Sequence, residues 1–208
     1  MANSDHRLIR KILKIGNPVQ GILDEIKDFE KSSLLIIGKS GSSKSLFSLS
    51  VLKELCKWGY ACAYFDIENN NTGSLKSKQE WMNNFVHYSP KDTAALYRHL
   101  EDAHLLKRKV ILLDCLNKIN QSDLTKLPRE EYLEIVRNVV SFCKERNIFL
   151  VIIEHDKPGL YSSHQSTVGW LMDYIMSITQ LDNERVLLDF IKHRQGKLKQ
   201  ITITKKDL

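Results

Sequence analysis

Short apolar runs alternate with longer amphipathic segments along this chain, and that alternation predicts its architecture. Leu34–Ile37 is an uninterrupted apolar run of strand length. From about Lys44 to Trp58 the apolar residues Leu46, Leu49, Leu52 and Leu55 recur near helical spacing, and Gly59 is a natural stop. Tyr60–Phe65 reads as the next strand, followed by a polar loop over Asn69–Ser77. Helices are expected around Lys78–His87 and Asp92–Leu106, separated by Pro90. Val110–Leu113 is a further strand ending in Asp114, and a loop then runs to Pro128. Arg129–Arg146 is a long helix and Phe149–Ile153 a buried strand, with a second polar loop expected over Asp156–Thr167. Tyr174–Gln180 and Arg185–His193 read as strands, and Leu198–Thr204 pairs back after a turn at Gln195–Gly196.

Strands that alternate with helices argue for a mostly parallel sheet with helices on both faces. The last strands follow one another without helices, so the sheet is expected to finish in an antiparallel hairpin. Residues 1–17 form a separate basic arm, with Arg7, Arg10, Lys11 and Lys14 on a short amphipathic helix over residues 5–14 that ends near Gly16 and Pro18. Residues 18–208 form one α/β domain.

Composition narrows the class without naming a function. The 208 residues are 42% hydrophobic and 27% charged, ordinary for a soluble globular protein. No apolar run reaches the roughly 18 residues a membrane helix needs. The N-terminus carries charges through its apolar stretch and does not read as a signal peptide, so a cytoplasmic location and no membrane partner are expected. Cys56, Cys62, Cys115 and Cys143 form no CxxC pair and read as buried free thiols. A net charge of +6 permits nucleic-acid binding, with basic residues gathered in the arm and in the tail from Lys192.

The segment with clear chemistry is Gly38-Lys39-Ser40-Gly41-Ser42-Ser43-Lys44-Ser45. It matches a P-loop at every defined position but one, since Ser43 stands where glycine is expected. A strand precedes it and a helix follows. Such a loop aims backbone N–H groups at phosphate oxygens, and the helix dipole favours their charge. Lys44 would reach the β- and γ-phosphates of a nucleoside triphosphate, and Ser45 would give a hydroxyl ligand to Mg²⁺. Asp114 closes the run Val110-Ile111-Leu112-Leu113 and has the layout of a Walker B carboxylate, a second holder of Mg²⁺. Glu68, in Asp66-Ile67-Glu68 after a strand, is the candidate base for an attacking water, with Asp66 its competitor.

With these motifs the chain resembles the RecA/DnaB-type ATPase superfamily over about residues 18 to 204. Gly21-Ile22-Leu23-Asp24 resembles the lead-in that precedes the P-loop strand in these proteins. The resemblance implies a RecA-like fold, ATP and Mg²⁺ as cofactors, Glu68 as catalytic glutamate and Asp114 as Walker B aspartate. Glu154-His155 ends the next strand where the family carries a γ-phosphate sensor, and His155 resembles the histidine of RepA-like members. Lys192-His193-Arg194-Gln195-Gly196 resembles the turn from which a basic pair, here Lys192 and Arg194, reaches a neighbouring subunit's triphosphate. The resemblance therefore implies self-assembly into a hexamer or filament and action on DNA, single-stranded in the first place. The loops Cys115–Leu127 and Asp156–Thr167 fall where the family faces DNA, and they hold few basic residues: Lys118, Lys126 and Lys157. A helicase- or recombinase-like ATPase is the expected function. The alternative is a nucleotide-gated regulatory or scaffolding module with slow or no hydrolysis. A GTPase is disfavoured, because Asn117-Lys118-Ile119-Asn120 lacks the aspartate of a guanine-reading motif.

Overall fold

The computed structural model describes residues 18–23, 26, 29–68, 83–119, 128–155, 164–192 and 200–207. The basic arm with its expected helix over residues 5–14, and Asp24 of the lead-in, lie outside them. The described chain begins with helix α1 (Pro18–Leu23). Pro18 opens this helix, where its fixed φ and missing N–H suit the first turn. Strand β1 (Ser33–Gly38) leads through the P-loop to α2 (Lys44–Lys57). There follow β2 (Cys62–Asp66), β3 (Phe85–Tyr88), α3 (Thr93–Leu105), β4 (Val110–Asp114) and α4 (Arg129–Glu145). The chain closes with β5 (Phe149–His155), α5 (His164–Leu171), β6 (Tyr174–Gln180), β7 (Arg185–Lys192) and β8 (Gln200–Thr204).

The eight strands form one sheet in the order β3-β2-β4-β5-β1-β6-β7-β8. Strands from β3 to β6 are parallel to their neighbours, while β6–β7 and β7–β8 are antiparallel. The mostly parallel sheet and the C-terminal antiparallel hairpin are thus both present.

Alternation along each central strand divides the core into two layers. Leu34 and Ile36 of β1, Tyr64 of β2, Leu112 of β4 and Val151 of β5 face α1 and α2, meeting Ile22, Phe47, Val51 and Leu55. The intervening Leu35, Ile37, Phe65, Leu113 and Ile152 face α3, α4 and α5, meeting Leu96, Leu100, Val136, Val139 and Val168. A period of two with both phases apolar is the signature of a strand covered on both sides. In β7, Val186, Leu188 and Phe190 are buried while Arg185 and Ile191 are exposed, so the hairpin is covered on one face.

Two expectations are corrected. The helix expected around Lys78–His87 is absent over its described end, where Phe85–Tyr88 forms β3, parallel to β2 at the sheet edge. Phe-Val-His-Tyr is rich in aromatic and β-branched side chains, and Phe85 packs on Tyr64 with ring centroids 6.3 Å apart. Edge pairing and this packing override a helical spacing. The loop expected over Asp156–Thr167 ends early, because α5 starts at His164 and extends through the buried Val168. The polar run His164-Gln165-Ser166-Thr167 gives the sequence no apolar period by which to place the start of this helix.

Candidate functional site

The carboxyl ends of the central strands put the predicted residues side by side. In the ladder Asp66 of β2 pairs with Asp114 of β4, Asp114 pairs with Ile153 of β5, and His155 of β5 pairs with Gly38 at the start of the P-loop. Parallel strands in this order deliver four strand ends to one edge, the place where open α/β sheets bind ligands.

The P-loop is closely built. A Cβ on Gly38 would lie 2.5 Å from the backbone oxygen of Ile178, so β6 leaves room only for glycine there. Gly41 has φ of +77°. Ser43 also lies in the left-handed region, at φ 67° and ψ 22°. This position therefore demands the conformation that makes glycine usual in the motif, and the serine adopts it against its steric preference. As N-cap of α2, Ser43 makes no side-chain capping bond, and the first turn carries no acidic side chain. The helix N-terminus is therefore left open to an anion. Lys44 is buried, and its Nζ donates to the carbonyls of Gly38 at 2.9 Å and Lys39 at 2.7 Å. Lys39, Ser40 and Gly41 are exposed at the tip of the loop, while Ser42 is buried.

Ser45 and Asp114 meet. The Ser45 hydroxyl lies on the same side of the site as the Asp114 carboxylate and favours its charged form. Tyr64 donates to Asp114 Oδ2 at 2.9 Å. Burial raises the Asp114 pKa, with the charges of Glu68 and Asp66 acting the same way and the hydroxyls of Ser45 and Tyr64 opposing them. Three carboxylates held near one hydroxyl are relieved by a hard divalent cation with oxygen ligands, so the residues fit Mg²⁺.

Glu68 and His155 are also brought together, with His155 Nε2 3.0 Å from Glu68 Oε1. Lys118 Nζ lies 3.9 Å from the same oxygen. Asp66 is fully buried and has His87 Nε2 at 3.8 Å, whereas Glu68 is partly exposed at the strand-end crevice. Glu154 points elsewhere: it accepts a hydrogen bond from the Tyr132 hydroxyl, and burial pushes its carboxyl up to about 7. Lys192 does not extend outward. Its Nζ donates to the carbonyls of Gly169 at 2.8 Å and Met172 at 2.5 Å, holding the end of α5. Burial lowers its pKa. Arg194 lies outside the described residues, as do residues 120–127 and 156–163 of the two candidate DNA-facing loops.

Two residues of this region carried no sequence signal. Tyr64 reads as one more residue of an alternating strand, and its hydroxyl reaches Asp114 only because β2 and β4 are neighbours. Cys115 reads as a buried thiol, which it is, yet it stands beside Glu68 and His155. Burial, with the charges of Glu68 and Asp114, raises its pKa.

The architecture has counterparts among solved structures. One, described as a DnaB-like replicative helicase studied with primase, superposes with a TM-score of 0.64 at 9% identity, over 83% of this chain and 55% of that one. The fold is RecA-like. A second counterpart, an ATPase domain, covers 97% of this chain and 95% of its own at a TM-score of 0.66 and 9% identity. This chain therefore spans about half the length of the helicase and nearly all of the ATPase domain. No protein-family model and no curated protein matches the sequence. At such identity the RecA-like likeness concerns the fold, and the residues at the strand ends must carry any chemistry. Among the described residues no helix is long and apolar enough to cross a membrane.

Proposed function

We propose that this chain is a Mg²⁺-dependent RecA-type ATPase that assembles with copies of itself and acts on DNA, as a helicase- or recombinase-like motor. The observation that carries the reading is the juxtaposition of Ser45, the P-loop hydroxyl that begins α2, with Asp114, the buried carboxylate at the end of β4. These two would hold Mg²⁺, which when bound would neutralise charge on the β- and γ-phosphates of ATP. The P-loop backbone binds and orients the phosphates. Lys44, released from the carbonyls of Gly38 and Lys39, pairs with them. Glu68 takes a proton from the attacking water, and His155, at hydrogen-bond distance, orients Glu68 and senses the γ-phosphate. Arg194 supplies a guanidinium to the next subunit's triphosphate, and Lys192 holds the base of that hairpin against α5. DNA contact through scattered lysines would be weak in sequence preference and steeply salt-dependent.

The test is ATP turnover with and without single-stranded DNA, beside the mass of the assembly with nucleotide. Mg²⁺-dependent turnover that rises with DNA is expected. In a folded Lys44→Ala protein, ATP affinity should drop about 10- to 100-fold, the range for hydrogen bonds to charged groups. Unchanged affinity would overturn the nucleotide site. Tight binding without turnover, and no DNA binding at low salt, would favour the scaffolding alternative.

A further inference from the structure

Beside the Ser45–Asp114 pair stands a second set of ligand-bearing side chains with different chemistry. Glu68 follows β2, Cys115 follows β4 and His155 ends β5, three neighbouring strands. One donor atom from each, a carboxylate oxygen, a thiol sulfur and an imidazole nitrogen, lies within 4.8 Å of the other two. Cys115 is fully buried, so its sulfur is held in place beside His155 by the packing at the ends of β4 and β5. His155 Nδ1 is buried with no hydrogen-bond partner among the described residues. The nitrogen turned to Glu68 is Nε2, 3.0 Å from Oε1, so the imidazole presents a ligating atom to the cluster.

We propose that Cys115, His155 and Glu68 form a site for a soft divalent cation of the Zn²⁺ class, and that its occupancy withdraws Glu68 from water activation. The inhibitory consequence rests on Glu68 being the base; metal binding itself does not. A sulfur, nitrogen and oxygen set with three protein ligands leaves a fourth position for water, the usual arrangement of an open zinc site. Mg²⁺ prefers an octahedron of oxygens and has no use for a thiol, so the two cations are sorted between adjacent sites. Binding forms a sulfur–metal bond as the S–H proton leaves to solvent, with no electron transferred. Zinc bonds of about 2.0–2.3 Å set tetrahedral ligand atoms roughly 3.3–3.7 Å apart, between the 3.0 Å of the Glu68–His155 contact and the 4.8 Å that bounds the cluster. Rotation of Glu68, which sits beyond the end of its strand, supplies the difference. Lys118, 3.9 Å from Glu68 and 40% exposed, can swing into solvent as the cation enters.

The experiment is a titration of the full chain with Co²⁺, read by the thiolate-to-cobalt charge-transfer band and the intense visible bands of a tetrahedral site. One equivalent that Zn²⁺ displaces is expected. Cys56, near the end of α2, and Cys62, at the start of β2 and so at the amino ends of the strands, are the competing thiols. The bands should therefore persist in the Cys56→Ser/Cys62→Ser protein and vanish in Cys115→Ser and in His155→Ala, with melting curves confirming folded proteins. Absence of the charge-transfer band in the wild type, or its persistence in Cys115→Ser, overturns the site. For the consequence, turnover is measured in excess Mg²⁺-ATP with added Zn²⁺. Cys115→Ser should keep the basal rate and need at least about tenfold more Zn²⁺ for half inhibition, the scale on which a site's supporting contacts change affinity. Equal inhibition of both proteins overturns the inhibitory role and leaves the site standing. In a chain without turnover, the cobalt bands still decide the site.

Discussion

His155 Nε2 lies 3.0 Å from Oε1 of Glu68, although the two residues are 87 positions apart in the chain. The contact links the end of β5 to the segment after β2 across the end of β4. An imidazole so placed can hold the carboxylate in one orientation.

Glu68→Gln should retain ATP binding and slow hydrolysis by at least ~100-fold, the scale of a general base. Asp66→Asn should affect turnover less, because Asp66 is buried with His87 beside it. The check is single-turnover hydrolysis alongside nucleotide binding for both variants. The reverse pattern would move the base to Asp66.

Ser43→Gly should raise stability. A left-handed non-glycine residue costs about 1–2 kcal/mol, and glycine's greater freedom in the unfolded chain costs about 0.5–1 kcal/mol. The difference leaves a gain of about 0.5–1 kcal/mol, or roughly 1–4 °C in Tm for a chain of this size. Thermal melts of the two proteins decide it; a lower Tm in Ser43→Gly would mean that its serine side chain contributes more than the backbone strain.

Glu154 predicts a pH dependence. Burial raises its folded pKa to about 7, above the ordinary carboxylate value. Between those two values the folded state binds the proton and the unfolded state does not, so this group's contribution to stability falls as pH rises through the window. It is flat above about 7. The difference in urea-unfolding free energy between the wild type and Glu154→Gln should therefore shift in favour of the variant from pH 5 to pH 8. A pH-independent difference would contradict the raised pKa.

Arg194→Ala should leave ATP binding nearly intact and abolish stimulated turnover. Mixing it with Lys44→Ala protein should restore part of the activity, since a mixed assembly contains interfaces with a sound P-loop on one side and a sound arginine on the other. Lys192→Ala should lower thermal stability as well as turnover, because Lys192 ties β7 to the carbonyls at the end of α5. No rescue in an assembled mixture, or full activity of a monomer, would remove the trans role.

The sequence by itself determined the elements whose signals are local. The apolar run before Gly38, the P-loop, the spacing of Leu46 to Leu55 and the Asp114 strand end each depend on residues a few positions apart, so backbone geometry and amphipathic period make them readable. The sheet's central strands and its closing hairpin follow from the same patterns. Only the tertiary structure decided which strand ends become neighbours. Placing β5 between β4 and β1 depends on packing two apolar faces at once, and that choice set Gly38 beside His155 and brought Glu68 within reach of both His155 and Cys115. It also made Phe85–Tyr88 a strand, since edge pairing with β2 outweighs a helical period in so short a segment. Lys192 illustrates the same limit: its charge is legible in the sequence, but the carbonyls that hold it belong to a helix end about twenty residues upstream. Contacts of that kind are set by how the elements pack, and no local pattern encodes them.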